Sequence, residues 1–439
     1  MSCGSRRLAE PVADLEGSTV MKGDFSRITF DPEREYSAVL LQQGRVQLDA
    51  DWNEQGAIFM AALRSLARDL LGPHCGSEMG FQLSPLSDRA DPDMDIGVGW
   101  YYVDGIRCEN RASVTITAQP GFPFGPDDKL TTGGTAIGYL EVWERHVTAI
   151  EDPSIREVAL GGPDTATRAR VTWRVRLLWV DPADEKRGDF RAEQTLARGV
   201  PGIGRCALRA RAGSPDTPGY TGLENQLYRI EIHEAGVAGS ATFKWSRDNG
   251  SVVAPVLETG DGSIRIDPLF LRPGRELEPG DWIEPSDDDS ALRDAAAPMV
   301  RIESVEGDVL RLSGWRDLSL DPTKHPLVRR WDHGLAGSPE RGGAIAMVED
   351  RWLDLERGVQ VWLDGSGSYR AGDYWLIPAR TVTGDVEWPS DVDGPMARPP
   401  AGVRHHFAPL ALLQISNDGR VSVLRDLRRV CQVGGEPSR

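Results

Sequence analysis

The sequence has little lysine, no long apolar run and a shortage of positive charge. Its formal net charge is -17 at pH 7 over 439 residues. Because phosphate binding needs a positive surface, nucleic acid is not an expected partner. No apolar run reaches the roughly 18 residues that a membrane helix requires, so no integral membrane segment is expected.

The first twenty residues lack the apolar middle section of a secretory signal. We predict that they form a disordered leader upstream of Met21. We therefore expect cytoplasmic synthesis without a signal peptide. The protein could still become part of a particle that is later released or docked on a membrane.

The cysteines are odd in number and widely spaced, at Cys3, Cys75, Cys108, Cys206 and Cys431. No CxxC pair is present, so a zinc site is not expected. A disulfide framework is not indicated either, and we expect the chain to fold in a reducing compartment.

The sequence has no G-x-S-x-G elbow, no P-loop and no dinucleotide fingerprint. Residues 91–97 imitate the start of a calcium loop, but Tyr102 stands where a bidentate glutamate is needed, so a solvated acidic turn is the better interpretation. Asp287–Asp289 is interpreted as a charged loop and His405–His406 as a strand-edge pair, because neither has a ligand set around it. No catalytic, cofactor-binding or metal-binding residue is predicted, and we expect neither a cofactor nor an enzyme.

What the sequence does contain is typical of β structure. It has 48 glycines and 30 prolines, spread along the chain, which favours many short strands joined by turns. Tyr139–Val147 and Val171–Val180 are the clearest strands, and the second places Trp173, Val175 and Trp179 on one face. Asp104–Gly105 and Asn249–Gly250 predict hairpin turns. The predicted fold is mainly β: a multi-lobed β-sandwich and small-barrel protein with an N-terminal extended arm and one amphipathic helix.

The composition along the chain divides it into six segments. They are a disordered leader at 1–20, an arm and helix for docking or oligomerisation at 21–76, a β-hairpin region at 77–135, a β-sandwich-like core at 136–258, a small SH3-like barrel at 259–320 and a C-terminal β region at 321–439.

The arm and helix cannot bury their own apolar side chains. Asp51 followed by Glu54 predicts a helix N-terminus with a capping box, and Gly72 predicts the end of the helix. Apolar residues recur between them at helical spacing, so this segment must dock on the body, on another copy or on both. The candidate interface residues are Phe25, Phe30, Tyr36, Trp52, Phe59, Leu63 and Leu66.

The tryptophans fall into two groups. Those in strand patterns are predicted to be core: Trp143, Trp173, Trp179, Trp245, Trp282 and Trp375. Those in polar surroundings could anchor an interface, stack on sugar or be partly buried without a role: Trp52, Trp331, Trp352 and Trp388.

Several long blocks carry a resemblance. They are MKGDFSR, FDPEREYSAVLLQQGRVQLDADWNEQ, YLEVWERHVTAIEDPSIREVALGGPDTATRARVTWRVR, GLENQLYRIEIH, FKWSRDNGSVV, GDYWLIPARTVTGDVEWP and HHFAPLA. From Met21 to about Val430 the chain resembles a bacterial domain family of unassigned biochemical function. That family is found beside or within gene clusters of phage-tail-like contractile injection systems, often at the N terminus of longer tail or fibre-like proteins.

The resemblance implies a structural or assembly component of such a particle, at the baseplate, the cap or the fibre attachment. The expected partners are further copies of this chain, as a cyclic trimer or hexamer, and other tail or baseplate proteins. The alternative is a carbohydrate-binding or surface-adhesion module, and a polysaccharide-acting enzyme is the third option.

Overall fold

The computed structural model describes most of the chain from Met21 onward. The described residues are 21–86, 93–120, 122, 133–181, 191–200, 204, 206–213, 218–237, 239–271, 274–293, 296–314, 320–332, 340–348, 351–364, 367–417 and 420–431. The predicted leader therefore lies outside the described residues. Within them the fold is mainly β and multi-lobed, which confirms the predicted fold class. The α-helices of this part are α1 (Asp49–Leu71), α2 (Ala192–Gly199) and α3 (Asp288–Arg293).

The described part of the chain has 29 strands. The first ten are β1 His74–Gly76, β2 Leu83–Leu86, β3 Asp93–Ile96, β4 Gly99–Val103, β5 Ile106–Asn110, β6 Val114–Thr115, β7 Gly134–Val147, β8 Arg168–Trp179, β9 Leu208–Ala212 and β10 Gln226–Glu234. The next ten are β11 Gly236–Val237, β12 Thr242–Ser246, β13 Val253–Gly260, β14 Ser263–Ile266, β15 Trp282–Ser286, β16 Val300–Glu306, β17 Val309–Ser313, β18 Leu327–Trp331, β19 Glu340–Arg341 and β20 Ala344–Ala346. The last nine are β21 Trp352–Glu356, β22 Val359–Leu363, β23 Ser368–Tyr369, β24 Tyr374–Arg380, β25 Asp385–Val386, β26 Ser390–Asp391, β27 Gly394–Pro395, β28 His406–Ile415 and β29 Val421–Asp426.

The longest strands form one four-stranded sheet in the order β29-β28-β7-β8. Strands β7 and β8 pair antiparallel along their whole length, and β28 returns from the far end of the chain to pair with β7. Trp173 and Val175 are buried as the alternation predicts, but Trp179 is 40% exposed, so its placement in the core was wrong. The opposite face of β8 is not fully exposed to solvent, because Arg174 is buried there in an ion pair with Glu141, Nε to Oε2 2.5 Å.

A six-stranded sheet in the order β19-β20-β12-β10-β24-β25 holds the largest apolar core. Its central strand β10 is buried on both faces. Tyr228, Ile230 and Ile232 point into the apolar core, whereas the intervening residues of β10 are charged or titratable and lie on the other face.

Six strands close into a small barrel in the order β13-β14-β17-β16-β15-β18. The barrel begins at Val253 and ends at Trp331, whereas the segment predicted from the sequence spans 259–320. Its interior is apolar, with Ile264, Ile283 and Val328 fully buried.

The turns predicted as hairpins have different outcomes. Asp104 and Gly105, both at positive φ, join β4 to its antiparallel partner β5 as predicted. Asn249 and Gly250 also have positive φ, yet the strands on either side belong to different sheets, so the hairpin prediction there was wrong. The Asn249 N–H donates to the Leu227 carbonyl at 2.9 Å, which turns the chain from the six-stranded sheet into the barrel.

Helix α1 begins at Asp49, two residues before the predicted N-cap Asp51. Asp51 instead lies in the first turn and accepts a hydrogen bond from the Leu48 N–H at 3.2 Å. The Asp49 carboxylate accepts from both the N–H and the hydroxyl of Ser26, so the arm itself helps to start the helix. The helix ends before Gly72, as predicted.

A disulfide joins Cys75 to Cys431 across 356 positions of sequence, so the expectation of no disulfide was wrong. Strand β1 lies beside the end of the chain, where the Gly76 N–H donates to the Arg429 carbonyl at 2.9 Å and the Cys431 N–H donates to the Gly76 carbonyl at 2.8 Å. Spacing along the chain carries no sign of this pairing, because only the tertiary fold brings the two thiols together.

Candidate functional site

The outer face of α1 carries large apolar side chains in contact with solvent. Of the 23 residues in this helix only Ala50 and Ile58 are buried. The exposed apolar residues are Trp52, Phe59, Met60, Leu63, Leu66 and Leu70. Because a surface helix normally turns its apolar stripe toward the core, this helix presents the stripe that a partner would cover.

The exposed residues follow a regular spacing. From Trp52 the positions advance through Gly56, Phe59, Leu63 and Leu66 to Leu70, in alternating steps of four and three. This is the heptad spacing with which two helices pack side by side. We call Trp52, Phe59, Leu63, Leu66 and Leu70 the α1 seam.

The arm that precedes α1 is held to it by polar contacts. The Thr29 hydroxyl donates to the Glu54 carboxylate at 2.5 Å, and the Val39 N–H donates to the Gln55 side-chain oxygen at 2.8 Å. Several apolar side chains of this segment are left exposed: Tyr36, Leu40, Leu41, Val46 and Leu48. The arm and the helix thus form one unit whose apolar surface continues past the helix.

The inner side of α1 is attached to the body by few contacts. The Arg64 guanidinium pairs with Glu144 of β7, Nη2 to Oε1 2.7 Å. Gly105 approaches the Arg64 carbonyl so closely that a Cβ would lie 2.2 Å from the oxygen, and its φ of 80° also favours glycine. The Cys75–Cys431 disulfide follows directly after the helix.

The predicted interface residues divide into two sets. Phe25 and Phe30 are half-buried, and Phe25 lies edge-on to His146 with ring centroids 6.4 Å apart, so this end of the arm is an anchor. The other five are exposed: Tyr36, Trp52, Phe59, Leu63 and Leu66. Their part in an interface stays a prediction.

A cavity of about 1050 Å³ opens beside the start of α1. Its walls come from the arm, from the first turn of α1, and from strands β7, β10, β12, β15 and β18. The floor is formed by charged residues of β10, β12 and β15, of which Arg229, Glu231, Lys244 and Glu284 are all buried.

The arm inserts a lysine into this cavity. The Lys22 ammonium lies 2.8 Å from Glu231 Oε1 and 5.5 Å from the centre of the Trp331 ring. The backbone of the arm is held on both sides of this residue, because the Asn249 side-chain amide donates to the carbonyls of Met21 and Gly23. The segment with the exposed seam is therefore fixed to the body through a buried charge cluster.

The floor is an ion-pair network. Arg229 Nε lies 2.6 Å from Glu231 Oε2, and Lys244 Nζ lies 3.4 Å from Glu231 Oε1 and 2.6 Å from Glu284 Oε2. The Trp331 indole N–H donates to Glu284 at 2.8 Å. Trp331 is only 1% exposed, so its polar surroundings are this buried network and it is neither a surface anchor nor a sugar-stacking ring.

Burial shifts the titration of the groups in the cavity. Loss of hydration lowers the pKa of Lys22 to about 8, although Glu231 opposes the shift. Burial also lowers the pKa of His146 to about 4, and the nearby Arg329, Arg229 and other cations add to the effect. Near pH 7 the lysine is therefore still charged while the imidazole is neutral.

The sequence analysis did not identify this cavity. The available signal was the pattern of β10, in which Arg229, Glu231 and His233 alternate with three core residues. Such alternation is also typical of a strand with one solvated face, so the sequence cannot distinguish a wet face from a buried charge network.

The acidic and histidine motifs are occupied by protein contacts. In residues 91–97, of which 91–92 lie outside the described part, Asp93 accepts from the Thr117 hydroxyl at 2.5 Å. Asp288 begins α3 and pairs with His325 at 2.8 Å. His405 is buried against Glu141 at 2.7 Å rather than lying at a strand edge. Across the described residues no group of three or more His, Cys, Asp or Glu side chains is placed to hold a metal ion.

The fold and the seam define a mainly β protein that displays an apolar helix on its surface. The chain belongs to the family of unknown function DUF6519, which matches residues 21–199 and 212–422. No curated protein and no solved structure matches the chain significantly. Within the residues described, none of the helices has the length and apolar character needed to cross a membrane.

Proposed function

We propose that this protein is an assembly component that works through protein–protein contacts made by the α1 seam and the arm. The observation that carries the proposal is the exposed heptad-spaced face of α1, whose inner side buries only two residues. Helices in folded proteins owe most of their stability to the packing of an apolar face. A helix of 23 residues that turns this face to water is stabilised when another surface covers it.

The proposed first partner is a second copy of this chain. Asn53, Met60 and Ala62, which flank the seam, carry no charge, whereas Asp69 beside Leu70 is charged and exposed. Two copies of α1 can therefore approach without like-charge repulsion along the seam from Trp52 to Leu66. The expected product is a cyclic homo-oligomer, a trimer or hexamer, which other tail or baseplate proteins then contact.

The proposed setting is a phage-tail-like contractile injection particle, at its baseplate, cap or fibre attachment. Two observations support it: the resemblance from Met21 to about Val430, and the disulfide between Cys75 and Cys431. Disulfides persist in oxidising surroundings, which favours a protein that ends up outside the reducing cytoplasm.

The test is the double variant Leu63→Glu/Leu66→Glu, analysed by sedimentation velocity and native mass spectrometry. We expect wild type to form one discrete oligomer and the double variant to sediment as a monomer, because two buried carboxylates would face each partner helix. The control is Val382→Glu, which changes an even more exposed apolar residue outside α1 and should leave the oligomer intact. A wild-type protein that stays monomeric at all concentrations would contradict self-assembly through the seam.

A carbohydrate-binding module is the second candidate, favoured by an aromatic pair at the surface of β21 and β22. The half-buried rings of Trp352 and Trp362 lie 5.8 Å apart, and the Arg211 guanidinium lies 4.0 Å from the Trp352 ring. Glycan-array binding that Trp352→Ala removes and the double seam variant keeps would favour this candidate over assembly; no binding on the array, with or without chelator, would count against it.

A further inference from the structure

We propose that the cavity beside α1 binds a small molecule that carries a carboxylate or a phosphate, held between Arg329, His146 and Lys22. This binding site is independent of the proposed assembly surface. Three observations support it: the excess of positive charge in the cluster around Glu231 and Glu284, the unsatisfied polar atoms in the cavity walls and the space in front of them.

The charges around the cavity floor do not balance. In the cluster around Glu231 and Glu284, four cations face these two carboxylates, which leaves two positive charges in the cluster, whereas the rest of the cavity lining is mostly acidic; the cations are Lys22, Arg229, Lys244 and Arg329. Neighbouring Arg145 adds no positive charge to this cluster, since it pairs with Glu151 at 2.7 Å and lies 3.7 Å from Asp288. Uncompensated charge away from water is costly, so an anion at this position would stabilise the folded protein.

Arg329 is the cation without a counter-ion. Its guanidinium donates to the Gly250 carbonyl, and among the described residues no carboxylate lies within 4 Å of it. Burial lowers the pKa of Arg329, although Glu284 and Glu231 oppose the shift from a greater distance. Arg329 and Lys22 are only partly buried, so both can reach a molecule in the cavity.

Two imidazole nitrogens in the walls have no hydrogen-bond partner among the described residues. His146 Nε2 is inaccessible to bulk water and unpaired, and the cations that act on this imidazole are Arg329, Arg229, Arg145 and Lys22. His233 is 4% exposed and its Nδ1 is also unpaired. Buried polar atoms in folded proteins are almost always satisfied, so unpaired nitrogens that line a cavity indicate a missing ligand.

The size and walls of the cavity fit a small molecule. Its volume of about 1050 Å³ is at the upper end of the range of ligand pockets. Phe25 and Trp143 supply flat apolar walls, whereas the lining residues Asp49 and Asp287 can accept hydrogen bonds from hydroxyl groups. An acidic head group would thus lie at the floor, with the polar remainder of the molecule toward the mouth.

The test is isothermal titration of the full chain with inorganic phosphate, glucuronate and glucose, the last as a neutral control. We expect at least one of the two anions to bind and glucose not to bind. Arg329→Gln should lower the affinity for the anion roughly ten- to a hundredfold, because a charge-assisted hydrogen bond is lost. If only phosphate binds, the ligand class is a free phosphate or a phosphate ester. If glucuronate binds, the ligand class is a sugar that carries a carboxylate.

The matched control is Arg311→Gln, which removes an exposed guanidinium from β17 of the same barrel and should bind as wild type does. Lys22→Met is a second variant, outside the barrel, that should also weaken anion binding. It keeps the test valid if Arg329→Gln loses binding only because it folds poorly. Binding should also weaken as the pH rises past about 8, where Lys22 loses its charge among Glu231, Lys244, Arg229 and Arg329. Equal binding by wild type and both variants, or no anion binding at all, overturns the proposal.

Discussion

Helix α1 turns leucines and aromatic rings to solvent, whereas the cavity beside it holds arginine, lysine and glutamate side chains away from water. The two regions invert the usual distribution of apolar and charged groups in opposite directions, and Lys22 of the arm joins them. Each inversion is unfavourable for an isolated chain and becomes favourable when a matching group is added. We infer from this comparison that the exposed apolar residues of α1 fit the proposed partner surface, and that the positive cluster in the cavity fits the proposed anion.

The comparison predicts that the cavity controls the stability of the monomer. Glu231→Gln removes the carboxylate that Lys22, Arg229 and Lys244 share, so the cations are left buried with Glu284 alone. We expect a loss of about 3–5 kcal/mol in the free energy of unfolding, measured by urea denaturation.

The control for this loss is Glu258→Gln, the same change in the exposed pair with Arg265 at 3.0 Å. Exposed ion pairs contribute little, so a change below about 1 kcal/mol is expected. Similar effects of the two substitutions would mean that the cavity network is no more important than a surface pair.

The disulfide between the base of α1 and the end of the chain should have the next largest effect. Replacing Cys75 and Cys431 together by serine releases a link across 356 positions. We expect a loss of about 2–5 kcal/mol in the free energy of unfolding. The control is Cys108→Ser, which changes a buried cysteine that forms no disulfide. Wild type treated with a reductant should lose the same stability as the double variant. An unchanged melting temperature after reduction would contradict a closed disulfide.

The pH dependence of stability separates the cavity from the seam, which has no titratable side chains. The pKa of His146 is lowered from 6.5 to about 4, so its neutral form is favoured in the fold. Its stabilising contribution is present above pH 6.5 and is lost as the pH falls toward 4, by an amount on the order of 2–3 kcal/mol.

His146→Gln should flatten this part of the wild-type pH profile of the unfolding free energy. Asp373 contributes to the pH dependence of stability with the opposite sign, because burial raises its pKa to about 6. The quantity to compare is therefore the difference in unfolding free energy between His146→Gln and wild type at each pH. Parallel profiles for wild type and His146→Gln would show that this imidazole does not titrate with folding.

The smallest effect is expected at the seam itself. In the separated monomer, Leu63→Glu/Leu66→Glu should change the free energy of unfolding by less than about 0.5 kcal/mol, because both side chains already face water. Thermal melts at concentrations below the assembly threshold would measure it. A loss of several kcal/mol would place these leucines in the core of the protomer and remove the contrast between the two regions.

Local patterns predicted the arm–helix unit better than the cavity. The 3.6-residue periodicity around Phe59 and Leu63 depends only on neighbours in sequence, and Gly72 marked the end of the helix correctly. The predicted start at Asp51 was wrong because the arm folds back, so that Ser26 bonds to Asp49 instead. Even within a helix, a contact over 23 residues of sequence moved the boundary.

The charge cluster brings together Lys22, Arg229, Lys244, Glu284 and Arg329. Each of these residues alone is ordinary for an exposed strand face or a terminal arm, and charged residues are rarely buried unless paired. Their pairing follows from how the six-stranded sheet packs against the barrel, which also explains why the Asn249–Gly250 turn joins two sheets rather than forming a hairpin.

The sequence alone determined the mainly β character, the presence of α1 and the apolar spacing along it, because these depend on propensities and periodicities within a few residues. Only the tertiary structure decided that this apolar face points outward, that Cys75 meets Cys431, and that Lys22 enters a buried network of charges. Those outcomes depend on which distant segments share a surface, and the free energy of that packing is not encoded in any short window of the chain.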